Sequence, residues 1–124
     1  MRVLLVDDEE QLVSTLAERL ELRGIAAEWV TSSAAALERV QSEPFDLAVL
    51  DVKIPKISGL ELKKRLQVID PKMKFIFMTG HGSEDDFKIG AAEAGKDFYL
   101  VKPVKIEALI EKMNEVMKQR GDGQ

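Results

Sequence analysis

Five short apolar runs alternating with amphipathic stretches constrain this chain more than any other feature. The runs are Val3 to Val6, Ala26 to Val30, Leu47 to Leu50, Phe75 to Met78 and Phe98 to Val101, each bounded by polar or turn residues. Continuous runs of this kind suit strands buried on both faces of a parallel sheet. The stretches between them carry helical spacing. Leu12, Val13, Leu16 and Leu20 precede Gly24, and Ala34 to Val40 precedes Pro44. Gly59 to Leu66 and Asp85 to Ala94 follow, and Ile106, Leu109, Ile110, Met113 and Met117 mark a last stripe. Parallel neighbours need crossovers, and right-handed crossovers leave few topologies. The pattern predicts an α/β fold: a doubly wound five-stranded parallel sheet of order 2-1-3-4-5, with five helices on its two faces. A length of 124 residues leaves room for one domain, expected over residues 1–120, with 121–124 a disordered tail.

In such a sheet the ligand site lies outside the carboxyl ends of the first and third strands, where the winding reverses. Asp7 and Asp8 follow the first strand, with Glu9 and Glu10 behind them, and Asp51 follows the third. Three carboxylates about 5 Å apart repel by roughly 3 kcal/mol per pair at an effective dielectric of about 20. Such a cluster must raise its pKa values, separate, or bind a cation. The chain has no cysteine and one histidine, His81, which excludes thiolate and multi-histidine metal sites. All-oxygen donors favour Mg²⁺ or a similar hard ion.

Two further strand ends face the same edge. Thr79, followed by Gly80-His81-Gly82, offers a hydroxyl and backbone amides to an anion. Lys102-Pro103, after the fifth strand, brings an ammonium. Taken singly, each residue has a plainer reading: Asp8 as a helix cap, Asp51 and Thr79 as strand ends, Lys102 as a surface lysine. Together they favour phosphoryl transfer to a carboxylate. Two acids would hold the metal, a third would act as nucleophile, and lysine and threonine would receive the charge on the transferred group.

At these residues the chain resembles the receiver domain of two-component response regulators, over positions 1 to about 118. The resemblance rests on Leu5-Val6-Asp7-Asp8-Glu9, Asp51 with Pro55 and Gly59, Thr79, Gly95, and Tyr99 with Lys102-Pro103. It implies a flavodoxin-like fold with Asp51 as phosphoacceptor for a sensor histidine kinase or phosphotransfer protein. It implies Mg²⁺ held by Asp7 or Asp8, Asp51 and the backbone carbonyl of Lys53, with Asp8 the stronger candidate for direct contact. Lys102 would pair with the phosphoryl group, the Thr79 hydroxyl would move to bond it, and Tyr99 would turn inward as an aromatic switch. The surface made by the fourth helix, fifth strand and fifth helix, where receivers commonly dimerise or bind a downstream effector, would then rearrange. Such a domain catalyses its own phosphorylation and dephosphorylation and is not a turnover enzyme. Lys53 and His81, two residues beyond Asp51 and Thr79, fall where the family tunes phosphate lifetime. The chain departs from the commonest pattern at Ile54, where methionine is usual, at Lys96 and Phe98, and in a stretch from Thr79 to Gly95 about one residue longer than usual.

Lys and Arg number 18 against 22 Asp and Glu, a net charge of -4, which gives this domain no electrostatic reason to bind nucleic acid. No apolar run approaches the roughly 18 residues of a membrane helix, and a cytoplasmic location is expected. Two other classes compete. A Mg²⁺-dependent phosphohydrolase of the haloacid-dehalogenase kind would carry Asp-x-Asp after its first strand, whereas Asp7 and Asp8 are adjacent. An interaction module that signals without phosphorylation is disfavoured by intact Asp51, Thr79 and Lys102. Trp29, Met113 and Met117 read as packing residues, and Lys105, Glu107, Glu111 and Lys112 as a solvated face.

Overall fold

Side chains of successive strand residues leave on opposite faces, so a strand that is apolar throughout needs cover on both. The computed structural model describes residues 1–80 and 99–122. Its first strand, β1 (Arg2–Val6), sends Val3 and Leu5 into one core and Leu4 and Val6 into the other, all four fully buried. With β2 (Ala26–Val30), β3 (Leu47–Asp51), β4 (Lys74–Thr79) and β5 (Tyr99–Val101) it forms a parallel sheet of order β2-β1-β3-β4-β5. The helices are α1 (Glu10–Leu22), α2 (Ser33–Ser42), α3 (Gly59–Ile69) and the C-terminal α4 (Ile106–Asp122). This is the doubly wound sheet expected from the sequence. The helical stretch read at Asp85 to Ala94 lies outside the described residues, as do Gly95, Lys96 and Phe98. Helix α4 extends to Asp122, two residues into the stretch read as tail.

Each face has its own core. Val13, Leu16 and Leu20 of α1 join Leu109 and Met113 of α4 against Val3, Leu5, Val49, Ile76 and Met78. Ala36 and Val40 of α2 join Leu62 and Leu66 of α3 against Leu4, Val6, Leu50 and Phe77. Burying one such aliphatic side chain contributes about 1.5–3 kcal/mol, so these two layers fix where the strands end.

Strand β2 differs from its reading as a buried run. It is an edge strand, with Ala26 and Trp29 exposed and its other residues half-buried. Polar contacts hold it instead. Glu21 of α1 accepts a 2.8 Å hydrogen bond from the Ala27 amide, which occupies a backbone donor that an edge would otherwise offer to another chain. Glu28 pairs with Arg2 of β1 and, at 2.6 Å, with Arg39 of α2. Arg2 also pairs with Glu43 and stacks its guanidinium 4.7 Å from the Phe45 ring. Met113 is buried and Met117 half-buried, as packing residues should be.

The loop between β3 and α3 carries one unusual backbone position. Exposed Lys56 sits at φ 78, in the left-handed region that costs a residue with a Cβ about 1–2 kcal/mol. Lys56→Gly is therefore expected to raise unfolding stability by about 0.5–1 kcal/mol, part of the relief being offset by the freer unfolded chain. Urea denaturation checks this. An unchanged or lowered midpoint would show that the lysine is held there without strain.

Candidate functional site

Four strand ends form one row because the ladders run slightly past the strands. The Asp7 amide, just after β1, donates to the Val30 carbonyl at 3.3 Å. Asp51, the last residue of β3, stands opposite Met78, and the Val52 amide donates to the Met78 carbonyl at 3.0 Å. Thr79 stands opposite Val101, and the Lys102 amide donates to the Thr79 carbonyl at 2.8 Å. The peptide between Lys102 and Pro103 is cis.

Helix α3 is clamped against this edge. Ser58 caps it by accepting a hydrogen bond from the Glu61 amide at 3.1 Å, and the Gly59 amide donates to the Val52 carbonyl at 2.8 Å. A Cβ on Gly59 would stand 2.2 Å from the Asp51 carbonyl oxygen. Only glycine allows that approach, so the helix start helps fix the backbone that carries Asp51.

One oxygen from each of Asp7, Asp8 and Asp51 lies within 4.8 Å of the others. Asp7 and Asp51 are buried and Asp8 is exposed. Asp7 Oδ1 accepts a 2.9 Å hydrogen bond from the Glu9 amide. Asp7 Oδ2 is buried with no aligned hydrogen bond among the described residues, although Lys102 Nζ lies 2.6 Å away as an ion pair. The same ammonium donates to Glu9 Oε1 at 2.8 Å and stands 3.6 Å from Asp51 Oδ1.

The protonation equilibria follow from this crowding. Burial pushes the Asp51 carboxyl up to about 6; Asp7 and Asp8 add to the rise, while Lys102 and the Lys53 amide oppose it. Burial also raises Asp7, against the pull of Lys102 and the Glu9 amide. For Lys102, burial works against the charge, but Asp7, Glu9 and Asp51 outweigh it and hold the ammonium well above its ordinary range. Three carboxylates, one with a buried oxygen lacking an aligned donor, fit a hard divalent cation such as Mg²⁺ in donor chemistry.

The structure therefore gathers Asp7, Asp8, Asp51 and Lys102. Thr79 is buried at the neighbouring strand end, its hydroxyl 3.5 Å from the Gly80 carbonyl. The Tyr99 ring is already inside, tilted 36° against Phe77 at a centroid distance of 6.0 Å, in the inward placement that the resemblance gives to the switched state. Lys53 is exposed two residues beyond Asp51, and His81 lies outside the described residues. Asp8 does not cap α1; the N-cap is Glu9. The partner that sequence reasoning missed is also Glu9. A glutamate at the start of a helix, where a shorter side chain would cap, was the available signal.

Fold and pocket together define a doubly wound α/β domain organised around an acidic site at its topological switch point. The chain belongs to the response regulator receiver domain family of two-component systems, which it matches over residues 3–114. Response regulator MprA of Mycobacterium avium (strain 104) is 29% identical over 119 residues, covering 96% of this chain and 52% of that protein. Transcriptional regulatory protein PrrA of Mycobacterium tuberculosis is 30% identical over 120 residues, covering 97% and 51% respectively. The chain thus spans about half the length of the curated relatives it matches. A CheY-like receiver domain protein from Methanospirillum hungatei JF-1 superposes with a TM-score of 0.86 at 31% identity, over 99% of this chain and 98% of that one. Receiver domains are generally signalling modules and not turnover enzymes. Among the described residues no helix is long and apolar enough to cross a membrane.

Between pH 3.8 and about 6 the folded chain keeps a proton on Asp51 that the unfolded chain has released, so this group's contribution to stability falls as pH rises through that window. Asp51→Asn is expected to remove that fall and to stabilise the metal-free protein at pH 7 by about 1–2 kcal/mol, after discounting for solvent screening. Denaturant unfolding of both proteins from pH 4 to 7 measures it. Parallel pH profiles would contradict the assignment of strain to Asp51.

Proposed function

We propose that this chain is the phosphoacceptor switch of a two-component phosphorelay, in which Asp51 takes a phosphoryl group from the phosphohistidine of a sensor histidine kinase or phosphotransfer protein. One observation carries the reading: a buried carboxylate ends β3 within reach of two further acids and one ammonium. With a pKa of about 6, Asp51 is mostly ionised at pH 7 and can act as nucleophile. Its oxygen forms the new bond to phosphorus as the bond from phosphorus to the histidine nitrogen breaks. The electron pair leaves on the imidazole, which then takes up a proton.

Asp7, Asp8, Asp51 and the Lys53 carbonyl are the groups that would hold Mg²⁺. When bound, the ion would supply positive charge against the phosphoryl oxygens and relieve the repulsion among the acids. Lys102, 3.6 Å from Asp51 Oδ1, needs only a short swing to meet the transferred group. Thr79, on the adjacent strand end, supplies a hydroxyl to the same oxygens. The switch then rests on a population shift: phosphate on Asp51 favours the arrangement in which Lys102 and Thr79 face it. Tyr99, packed on Phe77 two residues before Thr79, links that change to the surface of β5 and α4. That surface is the proposed site of dimerisation or effector binding. Lys53, exposed two residues beyond Asp51, tunes how long the phosphate survives by placing positive charge at the path of attacking water.

Incubation with Mg²⁺ and a small-molecule phosphodonor should add one phosphoryl group per chain by mass spectrometry. Chelation of the metal or Asp51→Asn should abolish the gain, and Lys53→Ala should shorten the adduct's lifetime. A mass gain that survives in Asp51→Asn would place the acceptor elsewhere. No gain in the wild type would favour an interaction module that works without phosphorylation.

A further inference from the structure

Glu9 occupies the N-cap of α1, yet its side chain makes no capping hydrogen bond. Serine, threonine, aspartate and asparagine cap helices because a short side chain reaches the free amides. Glu9 instead turns across the pocket, and its Oε1 accepts the 2.8 Å hydrogen bond from Lys102 Nζ. The ammonium is thereby shared. It lies 2.6 Å from Asp7 Oδ2, which is fully buried, and against a Glu9 side chain that is 63% exposed. Lys102 thus bridges a fixed inner acid and a movable outer one. A cation held by Asp7, Asp8 and Asp51 would compete with Lys102 for Asp7, because two positive charges at that distance repel.

Resting on the receiver reading above, we propose that Glu9 is a positioning residue for Lys102: it shares the ammonium with Asp7 in the resting chain and keeps it when a divalent cation takes the Asp7 carboxylate. Glu9 stands outside the cluster of cation donors and acts through the lysine. Lys102 can then leave Asp7 without giving up its counter-charge, and it stays close to Asp51. Without Glu9, displacing the ammonium would leave it with one acid fewer, and the divalent cation would bind more weakly.

The test is calorimetric titration of Mg²⁺ into wild type, Glu9→Gln and Glu9→Asp, each with Lys102 intact and with Lys102→Met, with the unfolding midpoint of every variant recorded to show that it folds. Glu9→Asp keeps the charge and introduces a better cap, but withdraws the carboxylate from Lys102. With Lys102 present, both substitutions are expected to weaken Mg²⁺ binding by about three- to tenfold. In the Lys102→Met chain both should fall within about twofold of their parent, since the contact they remove is already gone. Equal weakening with and without Lys102, or wild-type affinity in Glu9→Asp, would overturn the proposal and leave Glu9 as a source of diffuse negative potential. Saturable wild-type binding with indifferent Glu9 variants overturns only the role of Glu9. A wild type that binds no Mg²⁺ overturns the phosphoacceptor reading along with it.

Discussion

Repulsion among Asp7, Asp8 and Asp51, balanced among the described residues by the ammonium of Lys102, is the interaction on which the rest of this structure depends. Neither side of that balance could arise locally. The acids come from the ends of β1 and β3, and the lysine from the end of β5 on the far side of β4. Only a parallel sheet whose winding reverses between β1 and β3 brings them together. The two apolar cores offset the electrostatic cost by fixing strand positions that the charges alone would push apart.

That rigidity has a purpose in the proposed mechanism. A nucleophile gains little from being reactive if it can move away from its partners. Asp51 is held by the β3–β4 ladder, by burial, and by the close approach of Gly59 to its carbonyl. The Lys102 ammonium, by contrast, sits at the end of a long side chain and is shared among Asp7, Glu9 and Asp51, so it can be redistributed among them. Fixed acids and a movable cation make a device whose charge arrangement responds to what enters it. The far end of β1 differs, since Arg2, Glu28, Arg39 and Glu43 compensate one another there.

Much of this was legible in the residue order. Apolar runs on β1 and β3 imply two-sided burial, the switch-point rule places Asp7, Asp8 and Asp51 at one edge, and the end of the fifth strand brings Lys102 to it. What stayed hidden depended on partners distant in sequence. The link from Glu9 to Lys102 spans 93 residues, and no periodicity encodes it. Gly59 was noticed as a motif position, but its reason, the approach to the Asp51 carbonyl, is a matter of helix placement. Strand β2 was read as buried because its apolar run looked like the others. Glu28 in its middle was the warning, and it became the anchor of the ion-pair group. Tyr99 was recognised by type, but its inward placement depends on its packing against Phe77.

The central claim is that the carboxylates are kept in a costly arrangement that a divalent cation relieves. The most direct measurement is the unfolding free energy of the wild type at pH 7 as Mg²⁺ is raised, against NaCl at matched ionic strength. A ligand that binds only the folded chain adds RT ln(1 + [Mg²⁺]/Kd), about 2.7 kcal/mol at a hundredfold excess over Kd. The account predicts that logarithmic rise for Mg²⁺ and a much smaller one for NaCl. Equal curves for the two salts would contradict it.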